Sequence, residues 1–470
     1  IYILRYPTNT LRGCDFLVGL GNGILGAISR SMNINERSST NEQITVPRAR
    51  VKRPERFQVR WRDAALDQMI PKEHRVRAVW AYVDALDLTP LYAKIQAVEG
   101  SVGRDAVDPK ILMTLWMFAI IEGISSARHL DRLCQRDLAY MWICGDVGVN
   151  YHMLSDFRTA HGAFLDQLLT DTIATLLHQQ VVTLETVAQD GMRVRASAGS
   201  GSFRREKTLK ECQREVAEQV RKLREENDDD TEGHSSARRQ AAAERAASER
   251  ARRVEKALEN LVELQQQKEA REKGSGEDAR ASTTDPEARN MKMGDGGFRP
   301  AYNVQFATDG QSRMIVSVEV SNNGSDGGQM DARHEDVCDR YGKVPVNYTV
   351  DGGFATNEDI TLVEQRGSRV AAPMTRAEKI QKRGGDPHAR RPGDSDEMFA
   401  FRQRMKTDEA KATLKRRPSI AEFPNAECRN RGLHQFRVRG LAKVRTVALW
   451  HAITFNLMRM LHLQKLRQGA

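Results

Sequence analysis

Two of the chain's 63 acidic residues stand in the same local setting. Asp190 follows the run 181–189 (Val-Val-Thr-Leu-Glu-Thr-Val-Ala-Gln) and precedes Gly191. Asp351 follows the run 346–350 (Val-Asn-Tyr-Thr-Val) and precedes Gly352-Gly353-Phe354. Both runs have strand composition, so each carboxylate is expected at a strand end, where a glycine turn leaves room for a ligand. Two carboxylates held side by side repel unless a cation lies between them. Mg²⁺ accepts one or two protein carboxylates and keeps its other positions for water or phosphate oxygens. A pair of such ions can activate an attacking oxygen and stabilise a leaving one in an in-line displacement. The chemistry indicated is phosphoryl transfer, and a second ion calls for a third acid. Asp-Gly is also a common turn dipeptide, which is the plainer reading of either aspartate taken alone. His129, His152, His434 and His451 show no pairing that indicates general acid/base work.

The elements that must position these acids are legible as changes of period. Short β-type runs at 302–308, 314–320 and 346–350, with 181–189 upstream, predict neighbouring strands of one sheet. Between the first of them and the rest, residues 203–278 turn to Arg, Lys, Glu, Gln and Ala, broken by Asn227-Asp-Asp-Asp-Thr-Glu-Gly-His. Leu209, Val216, Val220 and Leu223, then Val254, Leu258, Leu261 and Leu264, repeat at helical spacing and predict an antiparallel charged hairpin inserted into the sheet domain. The tail 444–461 returns to helical periodicity and closes an α/β domain spanning 181–470. Ahead of it, residues 61–180 are helical, with apolar stripes such as Ile111, Leu112, Leu115, Trp116 and Ala119. The Gly and Ser of 121–130 suit a helix-turn-helix corner, and Trp116, Trp142 and Tyr151 are expected in the core. The stretch 46–60 is a basic, proline-interrupted arm that belongs with the helical domain as a unit over 46–180. Residues 1–45 are expected to be a disordered leader, and carry no weight in the functional reading.

The chain has 470 residues with 73 Lys+Arg against 63 Asp+Glu, a formal net charge of +10 and a pI near 9.3. At 40% hydrophobic residues it can build a sizeable core, which excludes a wholly disordered chain. The apolar run 16–28 is broken by four glycines and an asparagine, too short and interrupted for a membrane span or a secretory signal. Six scattered cysteines without a C-x-x-C pair argue against a zinc site or a disulfide framework and for a reducing, cytoplasmic setting. In that setting a basic balance points to a polyanionic partner, most commonly nucleic acid.

Four blocks, 187–199 around Asp190, Ser282-Thr-Thr-Asp-Pro-Glu-Ala-Arg-Asn-Met-Lys, Phe298-Arg-Pro-Ala-Tyr-Asn-Val-Gln and Val350-Asp-Gly-Gly-Phe, occur in order. Together they resemble bacterial insertion-sequence transposases of the DDE class, over about residues 52–461. The resemblance implies a ribonuclease H-like core, a mixed sheet flanked by helices, behind an all-α N-terminal domain. It also implies a third acid on a late helix in a Tyr-x2-Arg-x3-Glu-x6-Lys type signature. The matching run is 414–429, which makes Glu422 the third acid. Asp190, Asp351 and Glu422 would then be both the catalytic and the metal-binding residues, and Arg417 and Arg429 would contact DNA phosphates. Leu414 stands where the family tends to have Tyr, Arg417 to Glu422 is one residue longer than the pattern, and Arg429 replaces Lys. Glu427 is a rival for the third acid, and Asp285 and Asp295 are weaker candidates, read as turn or cap residues.

The implied activity is a transposase that uses Mg²⁺ or Mn²⁺, in a pair of ions. It would hydrolyse phosphodiesters at its element's terminal inverted repeats and join the freed 3′-hydroxyl to target DNA. The expected assembly is a homodimer or higher multimer on DNA, in the cytoplasm at the nucleoid, with no membrane partner. A decayed copy that binds without cutting and a ribonuclease H-like nuclease without strand transfer are the alternatives.

Overall fold

A computed structural model describes residues 65–97, 105–229, 234–374 and 377–468. The leader over 1–45 and the basic arm over 46–60 lie outside the described residues. The chain divides into two units between Met69 and Ile70. Of the first, a single turn of 3-10 helix, Leu66–Met69, is described; the second holds every other described element.

The second unit opens with helices α1 (Arg75–Asp84), α2 (Thr89–Tyr92), α3 (Pro109–Ile121), α4 (Ala127–Cys134), α5 (Leu138–Cys144), α6 (Tyr151–Ala160) and α7 (Gly162–His178). Side chains start them: Asp108 accepts from the Lys110 amide with Pro109 at the first helical position, and Ser126, Asp137 and Asn150 cap the next helices likewise. The expected corner at 121–130 is there, with Gly123 at φ +73° between α3 and α4. Every residue of α3 except Lys110 is buried, and a helix apolar all round has to be enclosed. The last helix, α15 (Leu441–Gln468), helps to enclose it. Trp450 of α15 donates its indole N–H to the Arg158 carbonyl, and the Asn456 amide pairs with both backbone groups of Ile315 at a sheet edge. Helices and sheet thereby share one continuous core.

The main sheet runs β4-β5-β1-β7-β8, with β6 also on β5. Its strands are β1 (Thr186–Arg195), β4 (Arg289–Lys292), β5 (Phe298–Asp309), β6 (Ile315–Ser321), β7 (Asn347–Thr349) and β8 (Arg369–Ala371). β5 is antiparallel to β1, β4 and β6, whereas β7 is parallel to β1 and β8. The first strand is displaced from the run expected at 181–189. Gln180 and Leu184 have positive φ and hold 180–184 out of the sheet. Pairing with the long strand β5 then carries β1 on from Val187–Asp309 to Arg195–Ala301. Asp190 therefore lies within β1, not at its end.

Helices α8 (Glu206–Asp229) and α9 (His234–Arg271) fill the charged segment. They pack through Leu209, Ala257 and Leu261, a small core separate from the main one, and β2 (Phe203–Arg204) pairs with β3 (Ala281–Ser282) at their base. The remaining helices are α10 (Met330–Tyr341), α11 (Asn357–Gln365), α12 (Ala377–Lys382), α13 (Asp396–Arg404) and α14 (Asp408–Asn430). Among the described residues no helix is long and apolar enough to cross a membrane.

His334 of α10 is fully buried, bonded to the Ser368 hydroxyl at 2.6 Å and set edge-on to Tyr348. Burial pushes its imidazole down to about 4. It stays neutral in the fold, whereas in the unfolded chain it takes a proton near pH 6.5. Its contribution is thus present above about pH 6.5 and is lost as pH falls toward 4, by about 3 kcal/mol in all. Urea unfolding of wild type and His334→Gln between pH 7 and pH 4.5 should show a flatter profile for the variant; identical slopes would contradict this.

Candidate active site

The sheet register brings the two aspartates together. β1 and β7 pair in parallel from Thr186–Asn347 to Ala188–Thr349, so Asp190 and Asp351 each stand two residues beyond the last pair. Asp190 is on the same face as Ala188, and Ala188 packs on Ile420 and Ala421 of α14. That helix starts under Thr407, whose hydroxyl accepts from the Ala410 amide. Arg417, Ala421 and Asn425 recur at four-residue spacing along its buried side, and the small Ala421 lets the helix approach β1.

Arg417 is the common partner of all three acids. Its Nη2 donates to Asp190 Oδ1 at 3.2 Å and lies 3.9 Å from Asp351 Oδ2, while Nη1 is 3.7 Å from Glu422 Oε1. Asn425 donates to the other Asp190 oxygen at 2.8 Å. The longer Arg417 to Glu422 spacing thus leaves the two side chains within reach. Arg417 is only 10% exposed, whereas Asp351 and Glu422 are 42% and 61% exposed, so these two acids form a rim open to a ligand above a buried cation. Burial pushes the Asp190 carboxyl above the usual carboxylate range; the like charge of Asp351 adds to this, and Arg417, Asn425 and the Gly191 amide oppose it.

The donor set suits a divalent cation. Three carboxylates are hard oxygen ligands of the kind Mg²⁺ and Mn²⁺ take. The amide oxygen of Asn425 is buried without a partner, an acceptor that a hydrated ion could satisfy. Among the described residues no three acidic, histidine or cysteine side chains already form a cage.

Gly191 and Gly353, which follow the two acids, have a different use from the one the sequence suggests. A Cβ on Gly191 would come within 2.9 Å of Asn303 Oδ1 and of Asp326 Oδ1, so this glycine makes room for a side-chain network. In that network Asp326 accepts from Arg193 at 2.8 Å and from Asn303 at 2.7 Å. At Gly353 the missing Cβ lets Asp351 Oδ1 fold back onto the residue's own amide at 2.8 Å. Asn425 and Asp326 are the site residues that sequence reasoning missed. Helical spacing from Arg417 would have found Asn425; nothing local singles out Asp326.

The remaining candidates lie elsewhere. Arg429 is exposed, two turns beyond Glu422 on α14, and meets none of the acids. Glu427 pairs with Arg431 at 2.8 Å. Asp285 is buried and accepts from the Tyr302 hydroxyl at 2.7 Å and the Gly440 amide at 3.2 Å, while Glu287 accepts from the Leu441 amide. Together these two hold the start of α15. Asp295 closes its own turn on the Gly297 amide and pairs with Arg299.

Residues 64–160 match a family described as a transposase domain, and residues 275–457 match the transposase DDE domain. The second stretch contains Asp351, Arg417, Glu422 and Arg429; Asp190 precedes it. No curated protein and no solved structure matches the chain significantly. The DDE match makes this an enzyme of the DDE transposase class, a class that acts on DNA and generally uses divalent metal ions. With the transposase domain matched ahead of it, the chain belongs to the insertion-sequence transposases.

Proposed function

We propose that Asp190, Asp351 and Glu422 are the catalytic acids and hold Mg²⁺ or Mn²⁺, as a pair of ions, in a ribonuclease H-like core. The observation that supports this reading is that one guanidinium lies within 3.9 Å of all three carboxylates, drawn from a strand, the end of its parallel neighbour and a helix. Bound ions would supply Lewis-acid stabilisation of charge at the attacking and leaving oxygens. Asp190, Asp351 and Glu422 would hold the ions, and Asn425 anchors Asp190. Arg417 turns to a phosphate when DNA arrives, and Arg429 contacts the backbone further along the helix. Within a unit over 46–180 the helices and the basic arm bind the terminal inverted repeats, and residues 181–470 form the catalytic unit into which the 203–278 hairpin is inserted. The enzyme works as a homodimer or higher multimer, because two ends need two sites, in the cytoplasm at the nucleoid. Purified chain is incubated with labelled DNA carrying the flanks of its own gene and Mg²⁺ or Mn²⁺. Cleavage at the ends followed by joining to a second duplex is the expected result. Binding without cleavage under either ion would make it a decayed copy, and cleavage without joining a nuclease.

A further inference from the structure

On the next face of α14 from the acids lies a polar cleft of about 380 Å³ between Thr413 and Arg416, residues 183–186 and the β5–β6 turn with Arg313. One buried carboxylate builds it. Asp309 Oδ1 accepts from the Leu184 amide at 2.8 Å and the Thr183 amide at 3.3 Å, and Oδ2 accepts from the amide and hydroxyl of Ser312, both at 2.7 Å. The Gly310 amide closes the frame on the Thr186 carbonyl at 2.7 Å. Inside this clamp Leu184 and Arg313 are held at φ +54° and +59°, a left-handed conformation that non-glycine residues avoid unless their surroundings impose it.

What the clamp presents is positive charge without a counter-ion. Arg313 lies over the Phe423 ring of α14, 5.9 Å from its centre, and Arg416 is exposed. Neither makes an ion pair among the described residues, although ion pairs are plentiful elsewhere on the surface. Arg459 donates to the Ser312 carbonyl at 2.7 Å and adds a third guanidinium close to Arg313. The one acid in the lining, Glu185, is exposed and pairs with neither arginine.

We infer that this cleft is a second DNA-backbone site, with Arg313 and Arg416 as its phosphate contacts. Arg416 and Arg417 are consecutive on α14, one turned to the cleft and the other to the acids, so a strand laid across the helix meets both. Guanidinium groups in a rigid frame suit phosphate oxygens. The inference rests on the DNA-cleaving reading of the acids.

The test is binding of a labelled duplex carrying the flanks of the gene, with divalent ions chelated, over a range of salt concentrations. Wild type is compared with Arg416→Gln and with the double variant Arg313→Gln/Arg416→Gln. Each lost phosphate contact should lower the slope of log K against log salt by about 0.9. The double variant should also bind roughly tenfold more weakly at moderate salt. Thermal melting checks the fold; should the double variant unfold, the exposed Arg416→Gln decides alone. Wild-type binding with unchanged slope and affinity in a folded Arg416→Gln variant would overturn the cleft and leave the acid site standing. Failure of the wild type to bind DNA would overturn the reading beneath it and the cleft together.

Discussion

Asp351→Asn is expected to abolish end cleavage, by about a thousandfold or more, while DNA binding stays within about twofold of wild type. The size follows from what the carboxylate does. Asp351 is the acid at the end of β7, with one oxygen tied to the Gly353 amide and the other facing the site near Arg417. An amide keeps the shape of the side chain and its hydrogen bond to the backbone, and removes the charge proposed to hold a cation. The substitution leaves the proposed DNA contacts untouched. Gel-shift and cleavage assays on one preparation separate the two readouts. Cleavage at more than a few per cent of the wild-type rate would remove Asp351 from the catalytic set, and lost binding would mean that the acid serves the DNA contact.

Arg417→Ala should lower the stability of the ion-free chain by about 3 kcal/mol, the usual cost of removing one partner of a buried ion pair. Saturating Mg²⁺ should restore most of it. Among the described residues the guanidinium is the only cation placed against all three acids, and its side chain is nearly buried. Without it the largely buried Asp190 loses its counter-charge beside Asp351, and a divalent ion is the natural replacement. In the wild type the ion must first displace the guanidinium, so the stabilisation by Mg²⁺ should be smaller. Denaturant melts of both proteins with and without Mg²⁺ make the comparison. Equal responses to the ion would show that Arg417 does not compete for its place. Arg417→Lys should recover only part of the loss, because one ammonium cannot bridge three separated carboxylates.

Much of this site was legible residue by residue. A strand-like run followed by Asp-Gly picked out Asp190 and Asp351, and the register of β1 and β7 puts them level. The plainer reading of Asp285 and Asp295 as turn and cap residues matches where they lie, although Asp285 serves the start of a helix 155 positions on. Glu422 came only through the resemblance, since an exposed glutamate on a charged helix carries no local mark. The strand ending at 189 was misplaced because β-propensity cannot see that β5 extends the pairing of β1 as far as Arg195. Nor can it see that residues 180 and 184 turn left-handed.

The sequence by itself determined the kinds of element, the charged hairpin, the helical corner at 121–130, the pair of Asp-Gly acids and the family. These depend on periods of two and 3.6 residues, on composition and on short ordered blocks, all of them local. The tertiary structure alone decided that positions 190, 351, 417 and 422 meet, that Arg417 is their shared counter-charge and that Asn425 steadies Asp190. It also decided that Arg416 turns away to a cleft framed by Asp309. Those relations depend on which strands lie side by side and on how closely a helix can approach them. Closeness of approach rests on the small volume of Ala421, and room for the Asn303–Asp326 network on Gly191, and these acquire meaning only when the chain has closed around them.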